Sequence, residues 1–213
     1  MGNALTLSRA ALVACALLGF ASSGAQPTDA PPPTRSLEAP AAEAPASRSA
    51  AVESESARLR EWLDARFDER LDFSPMEKTR LGLKENYDEI DDFSESAFDT
   101  ELEWHRQTVE SLRGTFDYAL LSPEAQTSYD LWIHQYEQAQ AARPFLRRGY
   151  VFSQFDGPHT SLPQFLINFH EVENADDMDA YVARIDGIAR ALLQALERAQ
   201  IAADEGVRPP RFA

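Results

Sequence analysis

Cysteine is nearly missing from this 213-residue chain: Cys15 is the single one, so no internal disulfide can form, and no Cys/His cluster has zinc-site spacing. Stability therefore has to come from packing. Lysine occurs only twice, at Lys78 and Lys84, and Lys plus Arg total 20 against 35 Asp plus Glu, a formal charge of −15 with a pI near 4.6. With no basic stripe to neutralise phosphates, nucleic acid and anionic membrane surfaces are excluded as expected partners. Neither a glycine-rich phosphate loop nor a Gly-x-Ser-x-Gly nucleophile turn occurs. The longest apolar run, Ala10 to Ala21, is too short to cross about 30 Å of hydrocarbon as a helix, so no membrane span is expected.

What remains is a globular composition, 44% hydrophobic, 26% charged and 10% aromatic, enough for one sizeable core. Residues 1–25 carry Arg9 as their only charged side chain, followed by the apolar run and by Ser22-Ser23-Gly24-Ala25. This is the layout of a signal peptide, with Gln26 as the mature N-terminus and export to the periplasm or beyond. Leu12-Val13-Ala14-Cys15 offers a less favoured alternative, a lipobox with Cys15 lipidated, because so few apolar residues separate it from Arg9. Residues 26–50 are Pro/Ala-rich, as in Pro31-Pro32-Pro33, and cannot bury enough surface to offset chain entropy. They read as a disordered linker, and residues 51–213 as the folded body.

The body has a helical apolar period nearly throughout. Leu59, Leu63, Phe67 and Leu71 mark a first helix over about 53–72. Ser74-Pro75-Met76-Glu77 combines an N-cap serine, proline at the first helical position and glutamate at the third, starting a second helix that should fade near Asp88. Ser94 caps a third, faced by Phe98, Leu102, Val109, Leu112 and Phe116. Ser122-Pro123-Glu124 starts a fourth, which ends before Pro144. From Pro144 to Pro163 the pattern breaks into an extended or looped excursion, followed by a short helix through Leu162 to His170. Asn174 caps the last helix, whose apolar residues are Met178, Tyr181, Ile185, Ile188, Leu192 and Leu196, with Gly187 as an expected bend and Gly206 as its stop. The fold class is mainly α, an irregular bundle of amphipathic helices with one excursion.

Candidate chemistry is sparse. His170-Glu171 begins like the H-E-x-x-H zinc motif, but the second histidine position holds Asn174, which serves better as a helix cap. His105 and His134 lie within amphipathic helices and read as edge-of-core groups. No catalytic, cofactor-binding or metal-ligating residue is assigned. The strongest site candidate is the loop Ser153 to Pro163, where Asp156, Gly157, His159 and Ser161 concentrate polar groups between apolar elements and could line a substrate wall. The competing reading is an ordered loop in which Asp156 and Thr160 cap turns or the following helix.

Gly157-Pro158-His159 with Leu162-Pro163, then Asn174-Ala175-Asp176-Asp177 leading into Tyr181-Val182-Ala183-Arg184-Ile185, then Gly206-Val207-Arg208-Pro209-Pro210, form an ordered set over roughly residues 55–213. The set resembles the bacterial proteins built on domain of unknown function 885. The resemblance implies an exported or lipid-anchored helical protein about three times this length, related in fold to gluzincin-type zinc metallopeptidases. It further implies a metal signature, a His-Glu followed by Pro-Gly-His, in the C-terminal half. Nothing in these residues matches that signature, so no cofactor is expected in this chain and zinc only in a full-length parent. The implied partner is the C-terminal half of the domain, with a peptide as substrate of the parent. On this reading the chain is an N-terminal scaffold without activity of its own; the alternative is a self-contained exported helical binding module.

Overall fold

Four side-chain caps set the helical frame. Ser74 Oγ accepts from the Glu77 N–H (3.2 Å), Ser94 Oγ from Ala97 (3.2 Å), Ser122 Oγ from Ala125 (3.3 Å) and Asn174 Oδ1 from Asp177 (3.0 Å). Each satisfies a backbone donor that the first helical turn leaves without an intrahelical partner. The structure is a computed structural model that describes residues 45–210. The signal segment with Cys15, residues 26–44 of the linker and residues 211–213 lie outside the described residues. Among the described residues there are six α-helices and no strand: α1 (Pro45–Leu71), α2 (Pro75–Arg80), α3 (Glu95–Thr115), α4 (Pro123–Ala142), α5 (Pro158–Phe169) and α6 (Ala175–Asp204). The mainly α expectation holds, and no described helix is long and apolar enough to cross a membrane.

Several boundaries differ from the sequence reading. The first helix begins at Pro45, so its opening turns run through residues assigned to the linker. α2 stops at Arg80, well short of Asp88: the Leu81 N–H turns back onto the Glu77 and Lys78 carbonyls and Gly82 takes a φ of 79°. Only half of the capping box forms, because the Ser74 N–H is taken by the Leu71 carbonyl (3.1 Å) and Glu77 pairs with Arg80 instead. The excursion is shorter than expected. Its first part is a 3-10 segment, Arg143–Arg148, and its last part belongs to α5. Gly157 has a φ of 145°, and a Cβ there would lie 2.9 Å from the Val151 carbonyl oxygen, so only glycine fits this turn into Pro158. Pro163 sits inside α5 rather than before it.

Two cores form. The first joins α1, α3 and α4 around Leu59, Leu112, Phe116, Leu121 and Tyr129, with Trp62 and Trp132 against it. Trp62 meets Phe116 and Trp132 edge-on at 6.0 and 5.9 Å, and Trp132 in turn meets His105 at 5.0 Å. The second joins α2, α5, α6 and the connector after α2 around Met76, Ile90, Leu162, Phe165 and Ala191. α6 runs unbroken through Gly187, so this glycine makes no bend. It makes room: a Cβ there would approach the Ile90 side chain to 3.0 Å.

Candidate functional site

The connector between α2 and α3 lies along α6 and is pinned there by three arginines. Arg184 Nε donates to the Glu89 carbonyl (2.9 Å), Arg190 Nη2 to the Ile90 carbonyl (3.0 Å) and Arg198 Nη1 to the Phe93 carbonyl (3.3 Å). Gln194 Oε1 accepts from the Phe93 N–H (3.0 Å). At the near end Asp91 takes both the Ser74 hydroxyl (2.8 Å) and the Met76 N–H (2.9 Å), which ties the same connector to the start of α2. Burial raises the Asp91 carboxyl above its ordinary range against the pull of those two bonds. The backbone polar groups of a segment with no ladder of its own are thus met by side chains.

Arg184 is wholly buried and, among the described residues, is not paired with a carboxylate. Its remaining donors go to Thr79 Oγ1 (2.6 Å) and to His170 Nδ1 (2.8 Å), and the other His170 nitrogen, Nε2, is 2.9 Å from the Asp177 carbonyl oxygen. These partners assign the proton without ambiguity. A guanidinium only donates, so Nδ1 must accept; a carbonyl only accepts, so Nε2 must carry the hydrogen. His170 is therefore the neutral Nε2–H tautomer. Burial first, and then the Arg184 cation, push its pKa below the ordinary histidine value, against the pull of the Asp177 carbonyl. Tyr87 stacks on the imidazole at 4.2 Å and lies under the guanidinium at 4.8 Å, with Phe165 on it at 5.1 Å. Tyr87 also closes the corner, its hydroxyl accepting from the Glu171 N–H (2.8 Å) and donating to the Glu171 carbonyl (3.0 Å). Outside the knot Lys84 bridges Glu173 and Asp177, each at 2.8 Å, and holds the Asp177 carboxyl below its ordinary range.

A small cavity of about 180 Å³ borders this knot between Arg80, Lys84, Tyr87 and Phe169. A second, of about 260 Å³, lies between α3, α4 and the 3-10 segment, with Phe98, Leu102, His105 and Leu146 in its wall. No nucleophile with an adjacent base lines either one. Both ring nitrogens of His170 are committed, so it cannot ligate a metal or take a proton without breaking the Arg184 contact. Among the described residues no group of three or more His, Cys, Asp and Glu side chains is placed to hold a metal ion.

The loop named from the sequence is built as a turn. Asp156 Oδ1 accepts from the Gly157 N–H (2.8 Å), its N–H donates to Ser153 Oγ (3.0 Å), and its carbonyl accepts from the Ser153 N–H (2.8 Å). His159 packs against Phe152 with ring centroids 5.6 Å apart, and Ser161 faces outward from α5. The four residues share one turn and helix start without converging on the cavities above. Arg184 and Thr79 were missed by sequence reasoning. The signal was available in the spacing of Asp177, Arg184, Ala191, Ala195 and Ala202, a polar and small face that turns out to be the buried one.

The fold and this knot define a class: a mainly α protein with two cores, one of them built around a buried arginine. A family profile described as a bacterial protein of unknown function (DUF885) matches residues 75–213, and the chain belongs to that family. No curated protein and no solved structure matches it.

Proposed function

We propose that this chain is the helical N-terminal scaffold of an exported, metallopeptidase-like protein whose metal chemistry lies in another part of the family domain. The observation that carries the reading is the role of the motifs shared with the family. Gly157-Pro158 opens α5, Asn174 caps α6 and Arg184 ties α2, α5, α6 and the connector together. These residues build the frame. Among the described residues no group is placed to hold zinc and His170 has both nitrogens engaged, so no step is assigned to the metal. Export rests on the sequence pattern of residues 1–25. The purified chain with added zinc and a peptide substrate should show no turnover above buffer; zinc-dependent cleavage abolished by His170→Ala would sink the scaffold reading.

A second reading, a self-contained binding module, is favoured by the closure of both cores, where Leu59, Leu112, Leu162 and Ala191 are all buried. The apolar surface left outside separates the two. Phe155 is 86% exposed and Phe145 68%, whereas Leu162, Phe165 and Leu166 of α5 are buried. A scaffold piece should bind a hydrophobic dye, less so after Phe155→Ser. A monomer that melts in one step and ignores the dye would favour the module.

A further inference from the structure

α6 carries a second apolar face that the described residues leave exposed. Met178, Val182, Ile185, Ala189, Leu193 and Leu196 follow one another at steps of four, three, four, four and three, all of them exposed, with Leu193 at 67% and Val182 at 54%. This spacing makes one straight stripe about 27 Å long on an unbroken helix. It is the ridge geometry that a second helix packs against. Apolar patches of a few hundred Å² on a soluble surface mark interaction sites.

The rim of the stripe identifies the occupant. Asp179, Asp186, Glu197 and Asp204 lie along its outer edge in two pairs seven residues apart, all exposed. The arginines of α6 do not neutralise them, because Arg184, Arg190 and Arg198 are turned toward the connector carbonyls on the other side. A second copy of the same face would set acid against acid. We infer that the outward face of α6 is a docking seam for one amphipathic α-helix whose apolar stripe is flanked by lysine or arginine. On the scaffold reading, on which this inference rests for its source, that helix belongs to the remainder of the family domain. Opposite charges beside an apolar seam fix the partner and its register.

Two synthetic helices of about 20 residues, matching the length of the stripe, test this with the full chain: one leucine/alanine seam flanked by lysine and arginine, the same seam flanked by glutamate. Fluorescence anisotropy of the labelled peptides should give about tenfold tighter binding for the basic helix. Val182→Ser with Leu193→Ser should abolish the binding while leaving the melting transition in place, since both side chains face water. Asp186→Lys with Glu197→Lys should reverse the preference. Equal affinity for the two peptides, or binding indifferent to Val182→Ser with Leu193→Ser, would overturn the seam. So would a dimer in sedimentation that those serines dissolve, which would make a second copy the occupant. The peptidase assay above is independent: turnover there would remove the scaffold reading and leave these binding results standing.

Discussion

The two cores are held by different physics. The α1–α3–α4 core is aromatic and apolar, and two polar handles in it are paired separately: Trp132 Nε1 donates to Thr108 Oγ1 (3.2 Å) and His105 Nε2 to the Trp132 carbonyl (3.2 Å). Losing one such bond leaves the rest intact. The α2–α5–α6 core is organised by one buried cation that simultaneously satisfies a hydroxyl, an imidazole and a main-chain carbonyl from three different segments. The first core resembles a filled volume and the second a set of mutually dependent hydrogen bonds. An apolar cluster degrades in proportion to the volume removed, whereas a polar network fails as a unit once its shared member is lost.

The strongest way to break this contrast is Arg184→Ala. It removes a packed side chain and leaves Thr79, His170 and the Glu89 carbonyl short of partners, so a loss of about 3–5 kcal/mol in urea unfolding is expected. Arg184→Lys should recover little, because an ammonium on a flexible stem cannot span three acceptors set in a fork; full recovery by lysine would show that charge alone suffices. In the other core Leu112→Ala should cost about 3 kcal/mol, as a cavity effect that does not depend on pH.

Acid should act on both cores next. His170 and His105 are both held below the ordinary histidine value, His170 by burial and then by Arg184, His105 by burial and then by Arg70. A base whose folded pKa is depressed binds fewer protons folded than unfolded, so its stabilisation is complete above the unfolded value near 6.5 and is lost as pH falls through that value toward the folded one. The slope reaches about 1.4 kcal/mol per pH unit for each histidine. His170→Asn, whose amide oxygen can still accept from Arg184, should flatten the dependence of melting temperature on pH between about 6.5 and 5. Asp177, held low by Lys84, enters only below about pH 4. A pH profile identical to that of the unaltered chain would mean that His170 is not the titrating group.

The smallest effects should come from two helical glycines. Gly114, near the end of α3, has nothing within 4 Å of an added Cβ, and Gly114→Ala should stabilise by about 1 kcal/mol. Gly187→Ala gains the same helical preference but presses on Ile90, whose connector is held by Arg184 and Arg190 and cannot yield. Net destabilisation of about 1 kcal/mol is expected there. Stabilisation at both positions would show the connector to be looser than its hydrogen bonds imply.

Local chemistry carried much of the architecture. The caps at Ser74, Ser94, Ser122 and Asn174 could be read from the chain, because a side-chain oxygen reaching an N–H three residues on needs nothing from elsewhere. The apolar stripes carrying Leu59, Leu112 and Phe116 also announced their core, since large apolar residues in a short helical bundle have one face to bury. On α6 the same rule is right only in part. Ile188 and Leu192 pack against the second core, whereas Met178, Ile185 and Leu196 face outward and Arg184 and three alanines face inward.

The difference is one of range. The four side-chain-capped helix starts, helix type and the mainly α class depend on residues within a turn or two of each other, and the sequence alone determined them. Which face of α6 is buried depends on the Glu89 carbonyl, Thr79 and His170, up to 105 positions away, converging on one guanidinium. The close approach of Ile90 over Gly187 depends on the same convergence. Only the tertiary structure decided these, because a buried cation is tolerable only where several distant acceptors meet it, and periodicity along one helix holds no information about where those acceptors lie.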